Sequence, residues 1–264
     1  MPAKSLKTPY TERVIAFIDV LGFGSLVFES ATSSTAEGES IRRISDAILH
    51  SLDRLKETLI PSGGFVFTQF SDSFVISTDG NNSARSSDLS AFASAVDVVI
   101  HCFLDSNLLL RGGITRGKLI HNKRLLFGPA MNRAYDLERL VARVPRIIFD
   151  PKLPELANTI LPDGIARDVD GVFYVDYFSR QRVFYLVPEW LHAIQKCIEA
   201  MPRSVKLHEK RAWLVKKFNV ALSGFSYDEF KSRLDDYVDD SERHTFVDQH
   251  YYGLLKYARE LRQM

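Results

Sequence analysis

Cysteine is nearly missing from this chain, with two in 264 residues, Cys102 and Cys197. Both fall inside helical patterns with no CxxC spacing and no Cys/His ligand set, which sets aside a disulfide framework and a zinc site in favour of buried thiols. An excess of charge of one sign is also lacking. Lys and Arg total 34 against 33 Asp and Glu, a net charge of +1, so no global field draws in nucleic acid or an anionic membrane. Any polyanion must be met locally, and no direct nucleic-acid binding is expected. No apolar run approaches the ~20 residues of a membrane span, and Met1 to Arg13 holds no apolar h-region, so the expected location is cytoplasmic, away from membrane. Internal repeats and Gly/Ser linkers are absent. What remains is ordinary for a globular chain, 45% hydrophobic and 25% charged residues, enough for one large core with an extension.

Apolar runs and periodicity place the elements. Val14-Ile15-Ala16-Phe17-Ile18 is continuous, as in a strand buried on both faces, and Gly22 and Gly24 loosen the chain after it. The first strand therefore ends at Asp19. Ile41, Ile44, Ile48, Leu52, Leu55 and Leu59 mark one helix face that stops before Pro61. Phe65-Val66-Phe67 and Phe74-Val75-Ile76 read as a hairpin with Asp72 at its tip, closed by a turn at Asp79 to Ser83. A second helix carries Leu89, Phe92, Val96, Val99, Ile100 and Phe103 on one stripe. A long strand then runs from Leu108 through Thr115.

This order of strand, helix, hairpin, helix and strand is the βαββαβ arrangement of ferredoxin-like and palm folds, an α+β class. Helical periodicity returns from Gly128 to Leu140 through Met131 and Tyr135. Strands are expected at Arg146 to Phe149 and in a closing hairpin of Val172 to Val175 with Val183 to Val187 around Ser179-Arg180. Residues 1–187 read as the core and 188–264 as a helical C-terminal extension packed on it or on a partner, with Trp190, Ile194, Ile198, Trp213, Leu214 and Phe218 as its apolar positions. The acidic run Asp235 to Asp240 lacks the spacing of an EF-hand and reads as a solvated loop or helix start.

The chemistry-bearing residues sit at the ends of these strands. Asp19 closes the first strand and Asp72 tips the hairpin, where a sheet fixes each carboxylate yet leaves it open to solvent, so the pair suits divalent ions that clamp a triphosphate. A helix cap at Asp19 and a turn role at Asp72 are the plainer alternatives. The segments Phe17-Ile18-Asp19-Val20-Leu21-Gly22-Phe23, Leu110 to Lys118 and Phe127-Gly128-Pro129-Ala130-Met131-Asn132-Arg133-Ala134 together resemble the catalytic domain of class III nucleotide cyclases over roughly residues 13–187. Within that superfamily the chain looks most like the pyrimidine cyclases of the Pycsar antiphage defence systems.

The resemblance implies that Asp19, Asp72 and the Val20 carbonyl hold two magnesium or manganese ions, and that the Leu21, Gly22 and Phe23 amides hold the terminal phosphates. It places Lys118 at a basic phosphate-binding position, with Arg116 able to share that role, and Asn132 at the ribose-orienting asparagine. The arginine normally four residues after that asparagine is replaced by Asp136. Arg133, or Arg139, Arg180 or Arg182, is expected to supply the missing charge. The lysine and aspartate that read adenine in many adenylyl cyclases fall on Thr68 and Leu125, which cannot form that pair. Thr68 and Gln69 are left as donors and acceptors for a pyrimidine.

The implied function is conversion of UTP to 3′,5′-cyclic UMP and diphosphate by a homodimer with sites across its interface. The product would be read by a separate effector in bacterial antiphage defence. Cyclic CMP synthesis and a catalytically inactive nucleotide-binding sensor are the alternatives.

Overall fold

The computed structural model describes residues 10–24, 27–28, 64–78, 89–158, 160–178, 187–224, 226–232 and 240–263, with positions 39, 42, 45, 46, 49, 50, 53 and 57 between them. The chain divides into two compact units. One comprises residues 1–25, 52–96 and 110–175, and the other residues 26–51, 97–109 and 176–264.

The first unit is built on an eight-stranded sheet. Its strands are β1 (Thr11–Val20), β2 (Phe65–Phe70), β3 (Ser73–Thr78), β4 (Leu110–His121), β5 (Leu126–Phe127), β6 (Ile147–Phe149), β7 (Ile165–Arg167) and β8 (Phe173–Val175). The order is β2-β3-β1-β4-β6-β8-β7, with β5 paired to β4. Its first four members, 2-3-1-4, run antiparallel to their neighbours. That is the arrangement a βαββαβ chain must take when β1 is inserted between β3 and β4, and the expected α+β core is therefore present. Helix α1 (Leu89–Asp105) follows β3, and every residue of its expected stripe, Leu89, Phe92, Val96, Val99, Ile100 and Phe103, is buried.

Strand β1 is central, and Val14 through Ile18 are buried on both faces, as its unbroken apolar run requires. On one face Ile15 and Phe17 pack with Val75, Leu119, Ala130 and Ala134. The last two belong to α2 (Pro129–Leu140), which crosses from β4 to its parallel neighbour β6. Two glycines let α2 lie close on β4. A Cβ on Gly113 would stand 2.5 Å from both the Ala134 carbonyl oxygen and Leu137 Cβ, and one on Gly117 would touch Ala130 Cβ at 3.4 Å. Gly128, with φ 149, opens the helix where a Cβ would strike the Lys118 carbonyl oxygen at 2.6 Å, and Pro129 follows at the first helical position.

The helix expected from Gly128 to Leu140 is α2, whose buried face is Ala130, Ala134, Leu137 and Glu138, with Met131 partly buried against the same core and Tyr135 and Leu140 exposed. Two expectations are corrected. Strand β8 pairs with β7, a three-residue strand not foreseen, through a turn that Arg146 holds by donating to Asp168 (2.7 Å) and Asp170 (3.1 Å). Val187, expected at the end of a closing strand, is the first residue of helix α3 (Val187–Ala200).

The second unit contains α3, α4 (His208–Ser223), α5 (Tyr227–Ser232) and α6 (Asp240–Gln263). Trp190, Ile194, Ile198, Leu214 and Phe218 are buried in it as the helical pattern requires. Cys102 and Cys197 are free and buried. Among the described residues no helix is long and apolar enough to cross a membrane. The expected helix face at Ile41 to Leu59, the turn at Asp79 to Ser83, the strand at residues 183–186, Arg180, Arg182 and the acidic residues 235–239 lie outside the described residues.

Candidate active site

The end of β1 brings Asp19 and Asp72 together. Asp19 is in register with Ser73 on β3 and Arg111 on β4, so both flanking strands present a side chain to it. Ser73 Oγ donates to Asp19 Oδ1 at 3.2 Å, and Arg111 Nη2 lies 3.6 Å from Asp19 Oδ2. The β2–β3 hairpin turns through Ser71 and Asp72, with Ser71 at φ 55, and the Val20 amide donates to the Asp72 carbonyl oxygen at 3.1 Å. That bond ties the hairpin tip to the end of β1. Gly22, at φ 80, then reverses the chain, and residues 23, 24, 27 and 28 are helical.

Burial, and then the neighbouring negative charge of Asp72, push Asp19 above the usual carboxylate range, against the opposing influence of Ser73 and Arg111. Two carboxylates that repel one another at a strand end fit a divalent cation, whose charge removes the repulsion. Among the described residues no group of three or more His, Cys, Asp or Glu side chains is gathered for a metal. Two carboxylates with nearby backbone oxygens would suit an ion that completes its shell with phosphate oxygens and water.

A buried acid missed by sequence reasoning joins this cluster. Glu138 on α2 is 4% exposed, and its Oε1 lies 2.5 Å from Arg111 Nε. Burial raises Glu138 above the ordinary range, opposed by Arg111 and reinforced by Asp19. The Gly113 contact explains its position, since it seats the last turn of α2 directly over β4. Only its place one residue after buried Leu137 signalled this.

Other expected site residues are not brought to Asp19 within the chain. Lys118 is exposed and in register with Glu12, seven residues along β1 from Asp19, or roughly 23 Å of strand. It cannot reach a triphosphate held by Asp19 of its own chain. Asn132 is exposed, and its place six residues before Glu138 corresponds to about 9 Å of helix rise.

Arg133 donates from Nε and Nη2 to Asp150 at 2.7 and 2.8 Å, so its guanidinium is committed to a structural carboxylate. Asp150 also accepts from Thr115 Oγ1 at 2.9 Å and the Lys152 amide at 3.2 Å. Burial pushes Asp150 up, but these donors outweigh it and hold the carboxyl below its usual range. The pair walls a cleft of about 430 Å³, lined also by Glu12, Arg116, Pro129 and Lys152, where Thr115 to Gly117 stand in the middle of β4. Arg116 is itself within 2.5 Å of Glu155. Asp136 stands 4.0 Å from Arg139, both well exposed.

Thr68 Oγ1 is 2.9 Å from His121 Nε2, while His121 Nδ1 is 2.8 Å from Ser77 Oγ. Burial, and then Arg13, push His121 down to about 4, so the ring that engages Thr68 is neutral near pH 7. Gln69 is exposed and its amide donates to the Ser71 carbonyl at 3.4 Å. Leu125 is exposed.

No protein-family model and no curated relative matches the chain. Among solved structures it is similar to the adenylyl cyclase CyaB from P. aeruginosa, at 15% identity and a TM-score of 0.46, over 66% of this chain and 98% of that one. It is also similar to the guanylyl cyclase Cya2, at 14% identity and a TM-score of 0.41, over 63% of this chain and 91% of that one. A bacterial light-regulated adenylyl cyclase is 16% identical with a TM-score of 0.39, over 72% of this chain and 99% of that one.

Proposed function

We propose that this chain is a nucleotidyl cyclase that converts a pyrimidine ribonucleoside triphosphate, UTP first, into the 3′,5′-cyclic monophosphate and diphosphate. The observation that carries the reading is the juxtaposition of Asp19 and Asp72, tied by the Val20 amide and close enough that the charge of Asp72 helps push Asp19 above the usual carboxylate range. Asp19, Asp72 and the Val20 carbonyl hold two divalent ions, manganese or magnesium, which supply acidity to the 3′-hydroxyl and charge to the leaving diphosphate. The Leu21, Gly22 and Phe23 amides, at a turn with Gly22 in a left-handed conformation, meet the terminal phosphates. The 3′-oxygen bonds to the α-phosphorus as its proton passes to solvent water, and the bond from the α-phosphorus to the bridging oxygen breaks, that oxygen leaving with the diphosphate.

Because Asn132 and Lys118 lie away from Asp19 in the chain, the complete site is formed by a homodimer, with these two residues facing the partner's metal carboxylates. Arg139, exposed on α2, is the arginine proposed to meet the reacting phosphate in place of Arg133. Thr68, in contact with neutral His121, reads the pyrimidine edge, and CTP is the nearest competitor of UTP. A role in bacterial antiphage defence, with a separate effector reading the product, extends the same reading.

Two observations favour a second reading, a nucleotide-binding sensor without turnover. Asp136 replaces the expected arginine and Arg133 is bound to Asp150. Diphosphate release with manganese and each of the four triphosphates, with the product identified by mass spectrometry, separates the readings. Cyclic UMP as main product supports the proposal, cyclic AMP or cyclic GMP overturns the pyrimidine assignment, and nucleotide binding without diphosphate release supports the sensor.

A further inference from the structure

Arg111 stands between two acids that compete for it. Its Nη2 is 3.6 Å from Asp19 Oδ2 and its Nε is 2.5 Å from Glu138 Oε1. The three come from three elements, β1, β4 and α2, and only Glu138 is nearly sealed from solvent, at 4% exposure against 27% for Arg111 and 19% for Asp19. The shorter and drier contact is the one to Glu138. Arg111 Nε and Glu138 Oε1 are both buried and neither has a well-aligned hydrogen bond, so the contact between them is an ion pair and not a bidentate clamp. Neither Arg111 nor Glu138 is called on by the proposed chemistry, and a buried glutamate is retained only where a partner compensates it.

We propose that Arg111 is an internal counter-ion of Asp19, and that Glu138 is the positioning residue that draws it back so that a divalent cation can take its place. This rests on the reading of Asp19 as a metal ligand. The guanidinium and the metal are alternatives at the same carboxylate, since a positive charge about 4 Å away opposes a second cation there. Glu138 sets the balance between them by offering Arg111 a second anion on the side away from the sheet end. With no metal present, Arg111 offsets the crowding of Asp19 against Asp72. When the ion arrives, the guanidinium moves its charge onto Glu138, and the burial of that acid is compensated in full.

The arrangement predicts effects of opposite sign from neighbouring residues, which a merely structural ion pair would not give. The probe is Mn²⁺ alone, titrated to millimolar concentration into the nucleotide-free full-length chain and followed by the electron paramagnetic resonance of the free ion. Arg111→Gln should tighten Mn²⁺ binding by about fivefold or more. Glu138→Gln should weaken it several-fold, because Arg111 then turns wholly to Asp19.

In the Arg111→Gln background, Glu138→Gln should have little further effect, a non-additivity that separates action through Arg111 from a bystander charge. Equal weakening by both single variants, strict additivity, or no bound Mn²⁺ in either wild type or Arg111→Gln overturns the proposal. Asp19→Ala supplies the control for the underlying reading. If Mn²⁺ binding survives it, the metal assignment fails. If binding is lost there but unmoved in Arg111→Gln, the metal assignment stands and the counter-ion inference fails. Circular dichroism of each variant guards against unfolding, and Arg111→Lys, which keeps the charge, should bind Mn²⁺ less tightly than Arg111→Gln.

Discussion

Arg133 grips Asp150 through two parallel N–H bonds of 2.7 and 2.8 Å, and Asp150, only 4% exposed, has Thr115 and the Lys152 amide as its further donors. An arginine held this way fixes the start of α2 to the end of β6, and is not free to follow a substrate. Arg133→Ala should therefore cost about 2 kcal/mol of stability, the penalty for leaving a buried carboxylate short of its charged partner, discounted for the arginine's partial exposure. Turnover by the folded variant should change by no more than about threefold. Urea denaturation together with diphosphate release checks both halves. A large loss of kcat at unchanged stability would return Arg133 to the chemistry.

Asp19→Ala and Asp72→Ala should each lower turnover roughly a hundredfold or more while leaving the fold intact, because each removes half of the carboxylate pair on which a cation depends. Activity at saturating manganese, beside a thermal melt, is the measurement. Substantial manganese-dependent activity in either variant would refute the assignment.

Mixing inactive variants tests the dimer. The proposed dimer takes Asp72 and Asn132 of one site from opposite protomers, so a heterodimer of Asp72→Ala and Asn132→Ala has one doubly damaged site and one intact site. After subunit exchange, activity should recover to about a quarter of wild type. Persistent inactivity with exchange verified by mass spectrometry would place the whole site in one chain.

Gly113→Ala should destabilise the first unit by about 1–3 kcal/mol or more. The added Cβ would lie 2.5 Å from the Ala134 carbonyl oxygen and Leu137 Cβ, both parts of a packed helix that cannot swing aside as a long side chain does. The midpoint of chemical denaturation reports it. A neutral result would mean that α2 is not seated on β4 as closely as 2.5 Å implies.

His121 gives stability a pH dependence of definite sign. Its folded-state pKa is lowered to about 4 from 6.5, so the fold favours the neutral ring. The contribution is whole above pH 6.5, and it is lost as pH falls from 6.5 toward 4, where the unfolded chain binds the proton and the folded one does not. The loss is on the order of 3 kcal/mol. Denaturation free energies of wild type and His121→Gln across this range should diverge, with the variant less pH-sensitive. Parallel curves would mean that the folded ring takes up its proton as readily as the unfolded one.

The sequence by itself determined the course of β1, because an unbroken apolar run from Val14 to Ile18 followed by Gly22 suits a short strand buried on both faces, although the strand starts at Thr11 and ends at Val20, one residue past the expected Asp19. It likewise determined the α1 stripe, the hairpin with Asp72 at its tip and the helical character after Pro188, all governed by local periodicity or turn chemistry. Tertiary structure alone decided which residues meet. Lys118 and Asp19 belong to adjacent strands in the core, yet the register of β1 on β4 sets them seven residues apart. Strand β7 has three residues and little local preference, and becomes a strand only because β8 offers it an edge. Glu138 looks like any charge on a helix surface until Gly113 lets α2 settle on the sheet and buries it against Arg111. Periodicity records what a residue shares with its neighbours in the chain, whereas register and close packing depend on partners far along it, and those partners decide which charges a carboxylate sees.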